Sequence, residues 1–402
     1  MSLTFAELTT SVGEIGSRWR ADRPARQSRR SLDPADFDLL RDAGLLTAIA
    51  PRDVGGLWSD AATSARPICG LYRSLASADP SVALVSSMHA AVIAFWLASP
   101  DAAQPDWEDQ RRAVFASAVA GDQWGTITSE PGSGGDIART RSLASPQDAN
   151  GVIPGRTYTV TGDKHFGSGS GITDRMITTA VAEGETDPTF FVIDVRGRPW
   201  DGSAGMTLIA EWDGMGMAAT QSHAMKLEGV PTVRFAWNGR FDSITRAAGP
   251  LVSTIFTGVV LGVLDEAVRV ARDQVRARAA DLRAYEQVEW TRAEQDHWVA
   301  VQAFEGALRA IEAGVPEVAF HAALRAKQAV ADLAEDTMRR ITRVLGGGTF
   351  SQRSPFAHWF EDVRALGFLR PPWGLAYDNL FATSLQPTPD PTTGIGDQSG
   401  QP

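Results

Sequence analysis

The sequence predicts an α+β fold in three parts: an N-terminal helical domain (1–118), a middle, mostly antiparallel β-domain (119–240) and a C-terminal helical bundle (241–385). Two observations carry this. Helical periodicity gives way near residue 120 to β-branched runs separated by glycines, and it returns near residue 244. A third excludes the common alternatives. Doubly wound sheets and TIM barrels alternate strand and helix, and this chain does not.

The N-terminal part opens its clearest helix at Asp33-Pro34-Ala35-Asp36, with an N-cap Asp, Pro at the first position and an acid in the first turn. Phe37, Leu40 and Ala43 follow at helical spacing, and Gly44 is the predicted stop. Gly55-Gly56 marks a loop. Residues 64–100 carry few charges and many Ala, Leu, Val and Met, as buried helices do.

In the middle part, β-branched runs stand over 158–164, 176–181 and 189–194, and apolar and polar residues alternate in several of them. The C-terminal part shows long amphipathic segments over 251–276, 295–313 and 317–344, the last ended by Gly346-Gly347-Gly348. Residues 386–402 are rich in Pro, Gly and Thr and are predicted to be a disordered tail.

Composition narrows the function. With 402 residues, the chain is worth two to three domains at roughly 100–200 residues each. The net charge of −10 argues against nucleic acid, which needs a basic face. A single cysteine, Cys69, can form neither an intrachain disulfide nor a Cys-based metal site. The six histidines show no close pair at metal-ligand spacing, so no metal is expected. The N-terminus shows no apolar leader, and no charge-free run of about 18 apolar residues is expected to span a membrane. A cytoplasmic location without membrane partners is therefore expected.

Three glycine-containing motifs carry the chemistry. The first is Thr128-Ser129-Glu130-Pro131-Gly132-Ser133-Gly134-Gly135-Asp136, a turn whose amides and hydroxyls can bond the edge of a planar heterocycle or a phosphate. The second is Gly162-Asp163-Lys164-His165-Phe166-Gly167-Ser168, in which Phe166 and Ser168 can stack on and bond to a flat cofactor. The third is Leu345-Gly346-Gly347-Gly348-Thr349-Phe350, where bare backbone can approach a pyrophosphate. Each alone reads as an ordinary turn. No G-x-G-x-x-G stands between a strand and a helix, so a dinucleotide-binding Rossmann unit is excluded.

In their order and separation, the three motifs resemble the acyl-CoA dehydrogenase superfamily. Gly44-Leu45, Pro51 and Gly55-Gly56 agree, as do Ala78-Asp79-Pro80-Ser81 with His89, and Gly214-Met215-Gly216-Met217 with Val230-Pro231. The resemblance covers about residues 35–380. It implies a flavin (FAD or FMN) between the β-domain and the C-terminal bundle. Cofactor-binding positions would be Thr128, Ser129, Gly134, Asp136, Phe166, Ser168 and Gly346, Gly347 and Gly348. Ser129 would bond the pyrimidine edge, Phe166 would lie on the ring, and Ser168 would face N5. The 346–348 loop, often from a neighbouring subunit, would approach the phosphates. His89 and Trp373 would face the substrate. A homodimer or homotetramer is expected.

The resemblance breaks at one position. Many family members carry a glutamate base near the C-terminus. Here Asp362 aligns, but the Glu position falls on or next to Arg370. Arginine stays protonated, with a pKa above about 12, and cannot take an α-proton. The count from Asp362 places Arg370 over the ring as the catalytic position, together with Ser168. Two-component flavin monooxygenases share the fold, take reduced flavin from a reductase and form a C4a-hydroperoxyflavin. A cation there suits that chemistry or an anionic substrate. Such a monooxygenase acting on a small molecule is the favoured expectation. An acyl-CoA dehydrogenase with a non-standard base, and a degenerate non-catalytic binding homologue, remain the alternatives.

Overall fold

A computed structural model describes residues 3–98, 106–237 and 241–385. The tail predicted over 386–402 lies outside the described residues.

Among the described residues, six α-helices come first: α1 (Phe5–Ala21), α2 (Arg23–Ser28), α3 (Pro34–Ala43), α4 (Ala61–Ala76), α5 (Pro80–Ala98) and α6 (Trp107–Val119). The sequence signals for α3 hold. The Asp33 side chain accepts the Ala35 amide, and Gly44 adopts φ 89° at the C-cap. Asp36 does more than the sequence suggests. It is buried, and Arg26 donates to both its oxygens at 3.0 and 2.6 Å while also reaching Asp79 at 2.7 Å. Asp79 in turn caps α5 through the Val82 amide. This buried ion cluster ties α2, α3 and α5 together, with each charge paired as burial demands.

One expectation from the sequence needs correction. The segment Pro80–Ala98 carries no charged residue and is long and apolar enough to cross a membrane; a second such stretch is Ser243–Ala277. Both are mostly buried inside the protein, 83% and 89% of their most apolar windows, which marks them as core helices. Their high hydropathy follows from being surrounded on all sides.

Seven strands follow: β1 (Trp124–Thr126), β2 (Leu143–Pro146), β3 (Thr157–Gly167), β4 (Arg175–Ala182), β5 (Pro188–Asp194), β6 (Met206–Ala210) and β7 (His223–Arg234). Pairing runs β4–β2–β3–β7–β5 and back to β4, so five strands close on themselves; β1 adds to β4 and β6 to β7. Among the described strands, β1–β4 and β2–β4 pair parallel and the others antiparallel. Closure removes the exposed edges that short strands would otherwise present. Val160, Met176, Phe191, Ile193, Met225 and Leu227 fill the interior.

The C-terminal part comprises α7 (Phe241–Ala277), α8 (Ala284–Glu312), α9 (Pro316–Leu345), α10 (Pro355–Val363), α11 (Ala365–Phe368) and α12 (Trp373–Ser384). Helix α9 packs on both α7 and α8. Ala307 of α8 meets Ala323 and Ala326 of α9, and such small side chains allow close approach of the two helices. The link from α11 to α12, Leu369-Arg370-Pro371-Pro372, runs from this bundle to the 129–136 turn.

Candidate active site

The 129–136 turn is anchored from beneath. Glu130 is buried and accepts from Lys164 Nζ at 2.5 Å, from Ser142 Oγ at 2.7 Å, from the Arg141 amide at 2.6 Å and from Thr140 Oγ. Lys164 is fully buried and also donates to the Thr179 carbonyl at 2.7 Å. Burial pushes the Glu130 carboxyl up, but Lys164, Thr140 and the Arg141 amide outweigh it and hold the group at about 2. Two motif residues, Glu130 and Lys164, are therefore internal ties between the turn and β3.

With Glu130 held below, Ser129 faces the other way. Its carbonyl accepts the His165 amide at 2.8 Å, joining the turn to the end of β3. Its hydroxyl accepts Arg370 Nη2 at 2.7 Å. The same guanidinium keeps Nη1 buried with no hydrogen-bond partner. Burial draws the Arg370 pKa down to about 10, opposed by Asp136, and the group stays charged at neutral pH. Asp136 makes no ion pair with it; its Oδ1 instead accepts the Ala138 amide.

Two contacts fix where Arg370 stands. The Pro371 carbonyl accepts Lys327 Nζ of α9 at 2.9 Å, and Lys327 is fully buried. Gly135 has φ 80°, and a Cβ there would stand 2.6 Å from Pro372 Cγ. Turn and linker touch at a point that tolerates only glycine.

Phe166 holds φ 59°, a left-handed conformation that is costly for an aromatic residue, and its ring is 58% exposed. Its edge meets Trp212, with centroids 6.1 Å apart. Ser168 is buried, and its hydroxyl is 2.8 Å from Ser222 Oγ, which is 2.8 Å from Thr220 Oγ. Thr220 Oγ donates to the Met217 carbonyl at 2.8 Å. The Met217 amide donates to the buried Asp362 at 2.6 Å. The aligned Asp362 thus holds the segment that carries this hydroxyl chain.

The structure joins Ser129 to Arg370 directly and sets Gly135 against Pro372, with Asp136 acting on Arg370 through its charge, and ties the 165–168 segment to the turn through the His165 amide. Thr128 is buried on the way into the turn, and Gly134 (φ 65°) faces open space. Trp373 is half-buried, stacks on Tyr377 with rings 9° from parallel, and lies against Gly367.

One expectation changes. His89 does not face a substrate. It is fully buried, its Nε2 lies 2.8 Å from the Leu46 carbonyl, and its Nδ1 accepts the Trp124 amide at 3.1 Å. Burial lowers its pKa to about 4, so the ring is neutral and both nitrogens are engaged within the protein. Arg370, counted to a place over the ring, donates to the Ser129 hydroxyl at the turn. Gly346, Gly347 and Gly348 are exposed and pack beside α9 and α10; among the described residues no hydrogen bond joins them to Ser129 or Ser168. Sequence reasoning missed Lys327, Thr220, Ser222 and Trp212. The one available signal was Lys327, a lone cation on the alanine-rich face of α9.

No protein-family model matches the chain. Among characterised proteins, it is 24% identical to dibenzothiophene monooxygenase of Rhodococcus erythropolis over 66% of this chain and 61% of that one. It is 26% identical to the amino sugar nitrososynthase of Streptomyces peucetius over 83% and 82%. The chain thus matches less than two thirds of the length of the Rhodococcus enzyme. Among solved structures, FMN-bound TdsC from Paenibacillus superposes with a TM-score of 0.76 at 21% identity, covering 95% of this chain and 99% of that one. Butyryl-CoA dehydrogenase from Megasphaera elsdenii gives 0.77 at 18% identity over 96% and 100%. The chain has the acyl-CoA dehydrogenase fold. Within this frame, the turn meets the 165–168 segment through the His165 amide and the Arg370 linker through the Ser129 hydroxyl.

Proposed function

We propose that this chain is a two-component flavin-dependent monooxygenase. It takes reduced flavin, FMN or FAD, from a separate reductase in the cytoplasm and oxygenates a small molecule. What carries this reading is Arg370: the count from Asp362 puts the desaturase's carboxylate on or next to this residue, which here is a charged guanidinium bonded to Ser129. Desaturation of an acyl thioester needs a base for the α-proton, and a guanidinium cannot be one. The names of the two characterised relatives, a monooxygenase and a nitrososynthase, support the same reaction class.

The residues fit a flavin. An exposed aromatic ring held at positive φ, a buried guanidinium nitrogen without a partner and an outward-facing serine hydroxyl are all features that a flat polar heterocycle would satisfy. Ser129 would hold its pyrimidine edge, Phe166 would cover its face, and Ser168 would stand at N5. Gly346, Gly347 and Gly348 would meet the phosphates across a homodimer or homotetramer contact, and Trp373 would border the substrate. When bound in reduced form, the flavin supplies the electrons that activate oxygen. The chain's own part is to exclude water, orient the ring and place the Arg370 charge.

Anaerobic mixing of flavin-loaded protein with acyl-CoAs of several chain lengths tests the choice. The proposal expects no bleaching. Rapid bleaching with formation of enoyl-CoA would establish the dehydrogenase reading instead.

A further inference from the structure

The hydroxyl chain behind Ser168 has a fixed direction. The Met217 carbonyl can only accept, so the single Thr220 hydroxyl proton is committed to it. The Ser222–Thr220 bond must then use the Ser222 proton, and the Ser168–Ser222 bond must use the Ser168 proton. Ser168 is left with lone pairs alone for anything on its other side. At the turn, the polarity is reversed: Arg370 offers a buried, unmet N–H and a positive charge next to the Ser129 hydroxyl.

Those two polarities match one redox state of a flavin. Oxidised flavin has a bare N5 that accepts hydrogen bonds, whereas reduced flavin carries an N5–H that donates. Reduced flavin that has lost its N1 proton also bears negative charge along N1–C2=O, which the oxidised ring lacks. Hydrogen bonds to the ring nitrogens and charge near N1 and N5 are the means by which a protein tunes a flavin.

We propose that Thr220 and Ser222 are specificity-determining residues which, with Arg370, make the site select anionic reduced flavin over oxidised flavin. Ser168 accepts from N5–H, and Arg370 donates to the N1–C2=O edge. Thr220 and Ser222 do not touch the ring; they are positioning residues that set which way the Ser168 proton points. The inference rests on the flavin placement given above and adds to it what distinguishes the two redox states.

The test compares dissociation constants of oxidised FMN and anaerobically reduced FMN for the full chain and two variants, with the midpoint potential of the bound flavin as a second readout. The wild type should bind reduced FMN at least about tenfold more tightly than oxidised FMN, a potential roughly 30 mV above the free two-electron couple. Ser222→Ala frees the Ser168 proton to point outward. Oxidised FMN should then bind about three- to tenfold more tightly while reduced FMN weakens, as one neutral hydrogen bond reverses. Arg370→Gln should weaken reduced FMN about tenfold or more and leave oxidised FMN little changed. If both forms weaken equally, or the ratio is unmoved in both variants, the residues are merely structural and the inference fails. If the wild type binds flavin in neither state, the flavin reading itself fails. Should the variants not fold, the wild type decides in mildly acidic buffer, where free reduced flavin takes up both protons. An anionic bound form takes up one proton per two electrons, giving a slope of about 30 mV per pH unit, and twice that slope would contradict the proposal.

Discussion

Lys327 and Pro371 stand 44 residues apart, and a fully buried ammonium on α9 donates to the proline carbonyl at 2.9 Å. The bond reaches across from the long-helix bundle to the linker that carries Arg370, so the bundle sets the position of a charge on the β-domain turn. It is the only hydrogen bond found for this ammonium among the described residues. Burial lowers the Lys327 pKa to about 8.

Replacing that ammonium tests the positioning. Lys327→Met removes a costly buried charge but leaves the Pro371 carbonyl without a donor, a loss of about 1–3 kcal/mol that partly cancels the gain. Thermal stability should change modestly, while reduced-flavin affinity should fall several-fold because Arg370 is no longer held. Equal affinity in wild type and variant would show that the bond does not position the linker.

Gly135→Ala tests the contact between turn and linker. The new Cβ would lie 2.6 Å from Pro372 Cγ, on a residue with φ 80°. The backbone cost alone is about 1 kcal/mol or more. Flavin affinity should drop with it, because the Ser129–Arg370 bond shares the same junction. Gly134→Ala, at φ 65° but with open space around it, should cost stability without the same loss of affinity.

A pH effect follows from Asp362. Burial pushes its carboxyl up from 3.8 to about 7, against the Met217 amide bond that favours the charged form. A carboxyl with a raised folded pKa binds more protons folded than unfolded between those values. Its contribution to stability is therefore present below about 4 and is lost as pH rises through 7. Asp362→Asn keeps an acceptor for Met217 and removes the titration. Its melting temperature should gain on wild type as pH rises from 4 to 7, and a constant difference across that range would contradict the assignment.

The order of elements, helices then strands then helices, was legible because helical and strand periodicities differ and because the caps of α3 use ordinary signals, Asp33 and Gly44. The start of α8 was less visible. Tyr285 and Val288 there are exposed, so the apolar period that marks a buried helix face is missing. Barrel closure was not legible either, since it depends on β4 pairing with β2 and β5 pairing with β7, strands that are not adjacent in sequence. In the site, Ser129 was readable from its motif and Arg370 from counting past Asp362. Their bond was not, because it joins residues 241 positions apart. His89 misled because a histidine on an apolar helix can be satisfied by backbone alone, as this one is. Thr220 and Ser222 left no sequence signal, since isolated hydroxyls reveal a direction only once their partners are known.

The most direct measurement mixes the protein anaerobically with one equivalent of reduced FMN and then with oxygenated buffer, following flavin absorbance and oxygen uptake together. The account predicts that the protein binds the reduced flavin, that bound flavin reoxidises with a time course distinct from that of free flavin, and that one oxygen is consumed per flavin. Reduced flavin that stays free and reoxidises as it does in buffer, alongside oxidised flavin bleached by an acyl-CoA, would contradict it.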